Sequence, residues 1–201
     1  MADLLAPTAA RAAPDPVVAA PAEPPAPVAA LSGATTAEIQ RVLAAFAERR
    51  RREGFRIAGV VEESEGCAEG CERLTLRCLT TGERVSISQN LGRESTACNL
   101  DSSGLAAACG LVQAAIAAGA DLVILSKFGK IEADRHGLTE AFQAAIAAEL
   151  PVVTSVAPTL AEPWDAFAGP LAVAVSADDA ALEAWWDALR AAAGSPPPAV
   201  V

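Results

Sequence analysis

Leu122, Val123, Ile124 and Leu125 form an unbroken apolar run of strand length, with Asp121 before it and Ser126-Lys127-Phe128-Gly129-Lys130 after it. Such a run suits a strand buried on both faces, as in a parallel sheet covered by helices on either side. In open sheets of that kind, ligands bind at the carboxyl edge of the strands. Lys127 and Lys130 are the only lysines in a chain of net charge −10, and both fall in the loop at that edge. Two cations concentrated there make the loop a candidate site for a small anionic ligand.

The flanking sequence fits the same architecture. Val28 to Leu31 reads as a short buried strand, and Ser32-Gly33-Ala34-Thr35-Thr36 as a turn into a helix that runs to about Arg52. Ile39, Val42, Leu43 and Phe46 recur on one face of that helix, and Gly54 supplies its stop. Ile57 to Val61 is the next buried strand, completing a strand–helix–strand unit. Residues 62–72 read as an acidic, glycine-punctuated loop. Leu74–Leu79 and Arg84–Ser88 alternate around a Thr80-Thr81-Gly82-Glu83 turn, which predicts a hairpin. Asp101 begins a helix as its cap, from about Ser103 to Ala118. Further helices are expected over 138–149 and 178–192, strands over 151–156 and 171–175, and a short helical turn around Trp164 and Phe167. The predicted fold is a three-layer α/β domain over 28–193 with an inserted hairpin. The Ala/Pro-rich segment 1–27 reads as a disordered arm and 194–201 as a disordered tail.

Composition narrows the function. The acidic balance argues against a nucleic-acid surface, which needs clustered Lys and Arg. The one dense basic run, Arg49–Arg52, is expected to complement a helix carboxyl end and face water. No stretch approaches the ~20 apolar residues of a spanning helix, so no membrane insertion is expected. Five cysteines without an apparent export signal suit a reduced, cytoplasmic protein. Cys67, Cys71 and Cys78 are weak candidates for a metal site, because no fourth ligand is evident nearby.

A strand followed by Gly33, two threonines and a helix invites comparison with the phosphate loop G-x-x-x-x-G-K-[ST], in which backbone amides wrap a phosphate and the lysine offsets its charge. With Gly33 on the second motif glycine, Ala34 stands at the lysine position, Thr35 at the magnesium-ligand position and Val28 at the first glycine. On the residues alone, Ser32 or Thr35 serves equally as a plain helix cap. The stretch D-L-V-I-L-S-K-F-G-K-I-E resembles the acidic-strand region of the thermophilic nucleoside-triphosphatase family. Ser126 and Lys127 occupy that family's two acidic positions, and Gly129, Lys130 and Glu132 match the G-K-x-E that follows. The chain also resembles an uncharacterised bacterial family of degenerate P-loop proteins found near molybdate-transport genes. The residues carrying that resemblance are Ile57-Ala58-Gly59-Val60-Val61, Ile87-Ser88-Gln89-Asn90-Leu91-Gly92, Cys98-Asn99-Leu100-Asp101 and Lys127-Phe128-Gly129-Lys130 with Glu132. The resemblance implies a P-loop-like fold and a setting in molybdate uptake or molybdenum-cofactor supply.

Loss of the loop lysine and the metal-binding acid predicts little or no NTP hydrolysis. The expected site is an anion pocket for a nucleotide phosphate or a tetrahedral oxyanion such as molybdate. It would combine Ser32, Gly33, Thr35 and Thr36 at the helix mouth with Lys127, Gly129, Lys130 and Glu132 opposite. Gln89, Asn90 and Arg93, in a long loop, would form a lid. His136, the single histidine, lies near Lys130 in sequence without an identifiable orienting partner. Two alternatives stay open: an active nucleoside triphosphatase using the non-standard lysines, and a protein-interaction module resting on the proline-rich arms and on Trp185 and Trp186, one of which is expected to be exposed to a protein partner. Ligand identity and oligomeric state are not encoded in any recognisable motif.

Overall fold

A computed structural model describes residues 25–66, 72–88 and 100–194. Seven strands, β1 (Val28–Ser32), β2 (Ile57–Gly66), β3 (Glu72–Cys78), β4 (Arg84–Ser86), β5 (Leu122–Ile124), β6 (Val152–Ser155) and β7 (Ala172–Ser176), form one sheet in the order β4-β3-β2-β5-β6-β1-β7. From β2 to β7 all neighbours are parallel; β3 and β4 extend the sheet antiparallel beyond β2. The helices are α1 (Thr36–Arg52), α2 (Ser102–Ala117), α3 (Lys130–Ala133), α4 (Thr139–Ala147), α5 (Ala161–Ala168) and α6 (Asp179–Ala193).

Strand alternation divides the core in two, because successive side chains point to opposite faces. Ala29, Leu31, Ile57, Leu122, Ile124 and Val153 pack under α1 and α6 with Leu43, Phe46 and Leu182. Val28, Ala30, Ala58, Val123, Leu125 and Val152 pack under α2, α4 and α5 with Val112, Phe142 and Trp164. The result is the expected three-layer α/β fold. No helix among the described residues is long and apolar enough to cross a membrane.

Gly59 marks the point where β2 changes partners. It pairs in parallel with Ile124 of β5, and the following residues pair antiparallel with β3. Its φ is +127°, and a Cβ there would lie 1.8 Å from the Ile124 carbonyl oxygen, so only glycine fits.

Several expectations are corrected. The acidic stretch after Val61 is not wholly loop: β2 continues to Gly66 and β3 begins at Glu72, with 67–71 outside the described residues. Glutamate is a poor strand former, but here Glu63 pairs with Arg77 at 2.5 Å and Arg84 at 2.8 Å, charges that only the neighbouring strands supply. The basic run does not simply face water. Arg49 pairs with Asp179 and Glu183, and the buried Arg50 pairs with Glu53 and Glu183, its guanidinium 4.9 Å from the Phe46 ring centre. The run therefore clamps α1 to α6. Neither tryptophan of the Trp185-Trp186 pair is exposed: both are buried, and Trp185 Nε1 donates to the Ala26 carbonyl at 3.0 Å. The residues just before β1 thus meet α6 through this hydrogen bond.

Candidate functional site

The carboxyl ends of β1, β2 and β5 meet near the start of α1. A cleft of about 550 Å³ opens there, a volume suited to a small ligand. Its polar lining comes from four elements: Thr36, Gln40 and Arg41 on α1, Glu62, Glu63 and Ser64 on β2, Arg77 on β3, and Lys127 in the loop after β5. Ala37, Ala44, Val61 and Leu74 supply an apolar wall. Arg41, Arg77 and Lys127 outnumber the two carboxylates, so the cleft is locally cationic in an acidic chain.

Lys127 Nζ stands 2.5 Å from Glu62 Oε2, and the Glu62 side chain is only 6% exposed against 42% for the lysine. The buried Gln40 holds the arrangement in register. Its Oε1 accepts the Glu62 amide at 2.7 Å, and its Nε2 donates to the Ser126 carbonyl at 2.8 Å. The Ser155 hydroxyl donates to that same carbonyl at 2.9 Å. One glutamine thus ties α1 to the ends of β2 and β5. Glu63 is held by both arginines: burial alone would raise its carboxyl, but hydrogen bonds and charge from Arg77 and Arg84 outweigh that and keep it below the usual carboxylate range.

The predicted site residues do not all converge. Thr36 and Lys127 share the cleft; Ser32, Gly33, Thr35 and Lys130 are not part of its lining. Thr35 acts as the cap of α1. Its hydroxyl accepts from the Glu38 amide at 3.3 Å and donates to Glu38 Oε2 at 2.7 Å, while its own amide donates to that carboxylate at 2.9 Å. A capping box therefore already places a negative group at the helix mouth. The Thr35 hydroxyl hydrogen bond, ahead of the amide, holds the Glu38 carboxyl below its ordinary value. Gly33 has φ +90° and open space beyond it.

The two lysines diverge because Phe128 lies between them. Its ring is buried on the other side of the sheet, 5.0 Å from the Phe167 centroid and 5.1 Å from that of Trp164. Lys127 therefore turns to the cleft, and Lys130, exposed, begins α3. Glu132 is not available to a ligand. It is buried, with Oε2 accepting the Gly129 amide at 2.9 Å and Oε1 the Leu138 amide at 3.0 Å. The G-K-I-E segment is a structural knot that caps α3 and anchors the turn into α4.

Gln89, Asn90 and Arg93, with Cys67, Cys71 and Cys98, lie outside the described residues. Cys78 is buried at the β3–β4 turn. Burial would raise its thiol, but hydrogen bonds from Thr81 and Thr80 bring it below the ordinary value. No cluster of three or more metal-ligating side chains occurs among the described residues. His136 lines a separate cavity of about 410 Å³ between α2 and α4, its Nδ1 2.7 Å from the Asp134 carbonyl oxygen. Sequence reasoning missed Gln40, Arg41, Glu62 and Arg77. Gln40 carried one available signal, a polar residue between Ile39 and the apolar helix face.

The parallel sheet with its cleft at the carboxyl edge defines a three-layer α/β protein. The chain belongs to the family described as "Protein of unknown function (DUF2478)", whose model matches residues 28–185. It is 38% identical over 153 residues to the molybdenum import ATP-binding protein ModC 2 of Bradyrhizobium diazoefficiens. That alignment covers 74% of this chain, which spans only 17% of the relative's length. The crystal structure of THEP1 from the hyperthermophile Aquifex aeolicus superposes with a TM-score of 0.54 at 13% identity, covering 80% of this chain and 94% of THEP1. At that identity the likeness is one of fold, which does not by itself carry an activity.

Proposed function

We propose that the chain is a metal-independent anion-binding protein of regulatory character, built on a degenerate phosphate loop. Its ligand is a nucleotide or an oxyanion held in the cleft between α1, β2 and the loop after β5. The observation that carries this reading is the convergence of Arg41, Arg77 and Lys127 from three separate elements on one cleft at the carboxyl edge of the sheet. Cations placed there attract an anion in a partly dehydrated setting. Hydrolysis is not expected. Alanine stands where a phosphate-loop lysine belongs, and Ser126 and Lys127 replace the strand-end acids. The Glu38 carboxylate already sits on the helix mouth. The molybdenum-import role that the relative's name carries supports a setting in molybdate uptake or molybdenum-cofactor supply.

Isothermal calorimetry of the full chain with ATP, AMP, phosphate and molybdate, with and without EDTA, tests the reading. Binding of at least one of them is expected, unaffected by EDTA and weakened about tenfold or more by Lys127→Ala or Arg41→Ala. Absence of binding, or binding indifferent to both substitutions, would overturn it. A phosphate-release assay separates it from the nucleoside triphosphatase alternative, which requires turnover.

A further inference from the structure

Glu62 and Lys127 form a close ion pair in the lining of the cleft. Glu62 is almost wholly buried, and Lys127 is the cation described against it. Glu63 lies beside it in the same lining but is held by Arg77 and Arg84. An anion that draws the half-exposed Lys127 ammonium away from Glu62 leaves a buried carboxylate poorly compensated, which is costly. An ionised carboxylate only accepts hydrogen bonds. Molybdate brings no donor to replace the one withdrawn, inorganic phosphate brings only a P–OH on the same group that must hold Lys127, and the charge of either repels Glu62. A ligand carrying hydroxyl groups a few ångströms from its anionic group can satisfy both residues at once.

Resting on the anion-binding reading above, we infer that the cleft selects a sugar phosphate unit over a naked oxyanion. The phosphate engages Lys127 and Arg41, and the sugar hydroxyls donate to Glu62. The apolar wall of Ala37, Ala44, Val61 and Leu74 lies within the same 550 Å³, which favours a nucleotide, with its base on that wall, over a bare sugar phosphate. Glu62 is thus the specificity-determining residue of the site, and Gln40 positions it by accepting its amide.

Calorimetry with AMP, 2′,3′-dideoxy-AMP, ribose 5-phosphate, inorganic phosphate and molybdate, on the wild type and Glu62→Gln, tests the assignment. AMP is expected to bind the wild type about tenfold or more tighter than dideoxy-AMP, phosphate or molybdate. Ribose 5-phosphate should fall between AMP and phosphate. In Glu62→Gln the gap between AMP and phosphate should close, because phosphate gains affinity once the competing charge is gone. Circular dichroism and the thermal midpoint establish that the variant is folded, and Glu62→Ala serves as a second variant. Phosphate or molybdate binding the wild type as tightly as AMP, or an unchanged AMP-to-phosphate ratio in both folded variants, would overturn the selectivity while leaving anion binding intact. No binding of any of the five would overturn the anion-binding reading itself, and this inference with it.

Discussion

A Cβ on Gly137 would lie 2.2 Å from Oε1 of Glu132, and Gly137 has φ +64°. The buried carboxylate and the missing side chain are therefore one feature. The turn from α3 to α4 wraps so closely round Glu132 that only a left-handed glycine passes.

Gly137→Ala should destabilise the fold by roughly 2–4 kcal/mol, combining left-handed strain with overpacking. Glu132→Ala should cost a comparable amount, since it orphans the amides of Gly129 and Leu138. Lys130→Ala, exposed on the same short helix, should change stability by less than about 0.5 kcal/mol. Urea unfolding of the three variants measures the contrast.

Gln40→Ala should lower stability by about 1–3 kcal/mol, because the Glu62 amide loses its buried acceptor. The Ser126 carbonyl keeps the Ser155 hydroxyl. Gln40→Glu should be worse, since it withdraws the donor to Ser126 and sets a second carboxylate beside Glu62. Chemical denaturation and loss of ligand affinity by calorimetry should rank the two in that order.

The three tryptophans of the chain, Trp164, Trp185 and Trp186, are all buried. Iodide should therefore quench the native fluorescence weakly and the urea-unfolded fluorescence strongly. Trp186 also stacks edge-on against Phe55 at 5.2 Å and Phe46 at 6.1 Å. Trp186→Ala should cost about 3–5 kcal/mol. Strong quenching of the native state would show that α6 does not pack as described.

Acid stability should depend on Glu63. Its carboxyl is held below the ordinary value in the folded state, the arginine contacts outweighing burial. It binds a proton more readily when unfolded, so its contribution is complete above the unfolded value and is lost as the pH falls through the lower native one. Glu63→Gln should be less stable than the wild type at pH 7, with the difference shrinking below about pH 4. A parallel shift at every pH would show that the effect is packing rather than charge. Salt should also narrow the gap at pH 7, because Arg84 is largely exposed.

Much of the architecture was legible along the chain. The run at 122–125, the periodic face of Ile39, Leu43 and Phe46, and the cap at Asp101 each follow from local patterns that burial on both faces of a sheet imposes. The extension of β2 through Glu62 and Glu63 was not legible, because its charged residues are compensated by Arg77 and Arg84 from neighbouring strands. Of the cleft's polar lining, only Thr36 and Lys127 were named from the chain. Glu62 and Gln40 were not visible, since their importance comes from contacts spanning 65 and 22 residues.

The sequence by itself determined a doubly covered parallel sheet, a capped helix following Gly33, and a cation at the end of the central strand, because each is a property of residue type and spacing. Only the tertiary structure decided that the two lysines part company. An extended backbone alternates its side chains, and burying Phe128 among Phe142, Trp164 and Phe167 sends Lys127 across the sheet to Glu62. Which charges share a cleft was settled by packing and could not be settled by order along the chain.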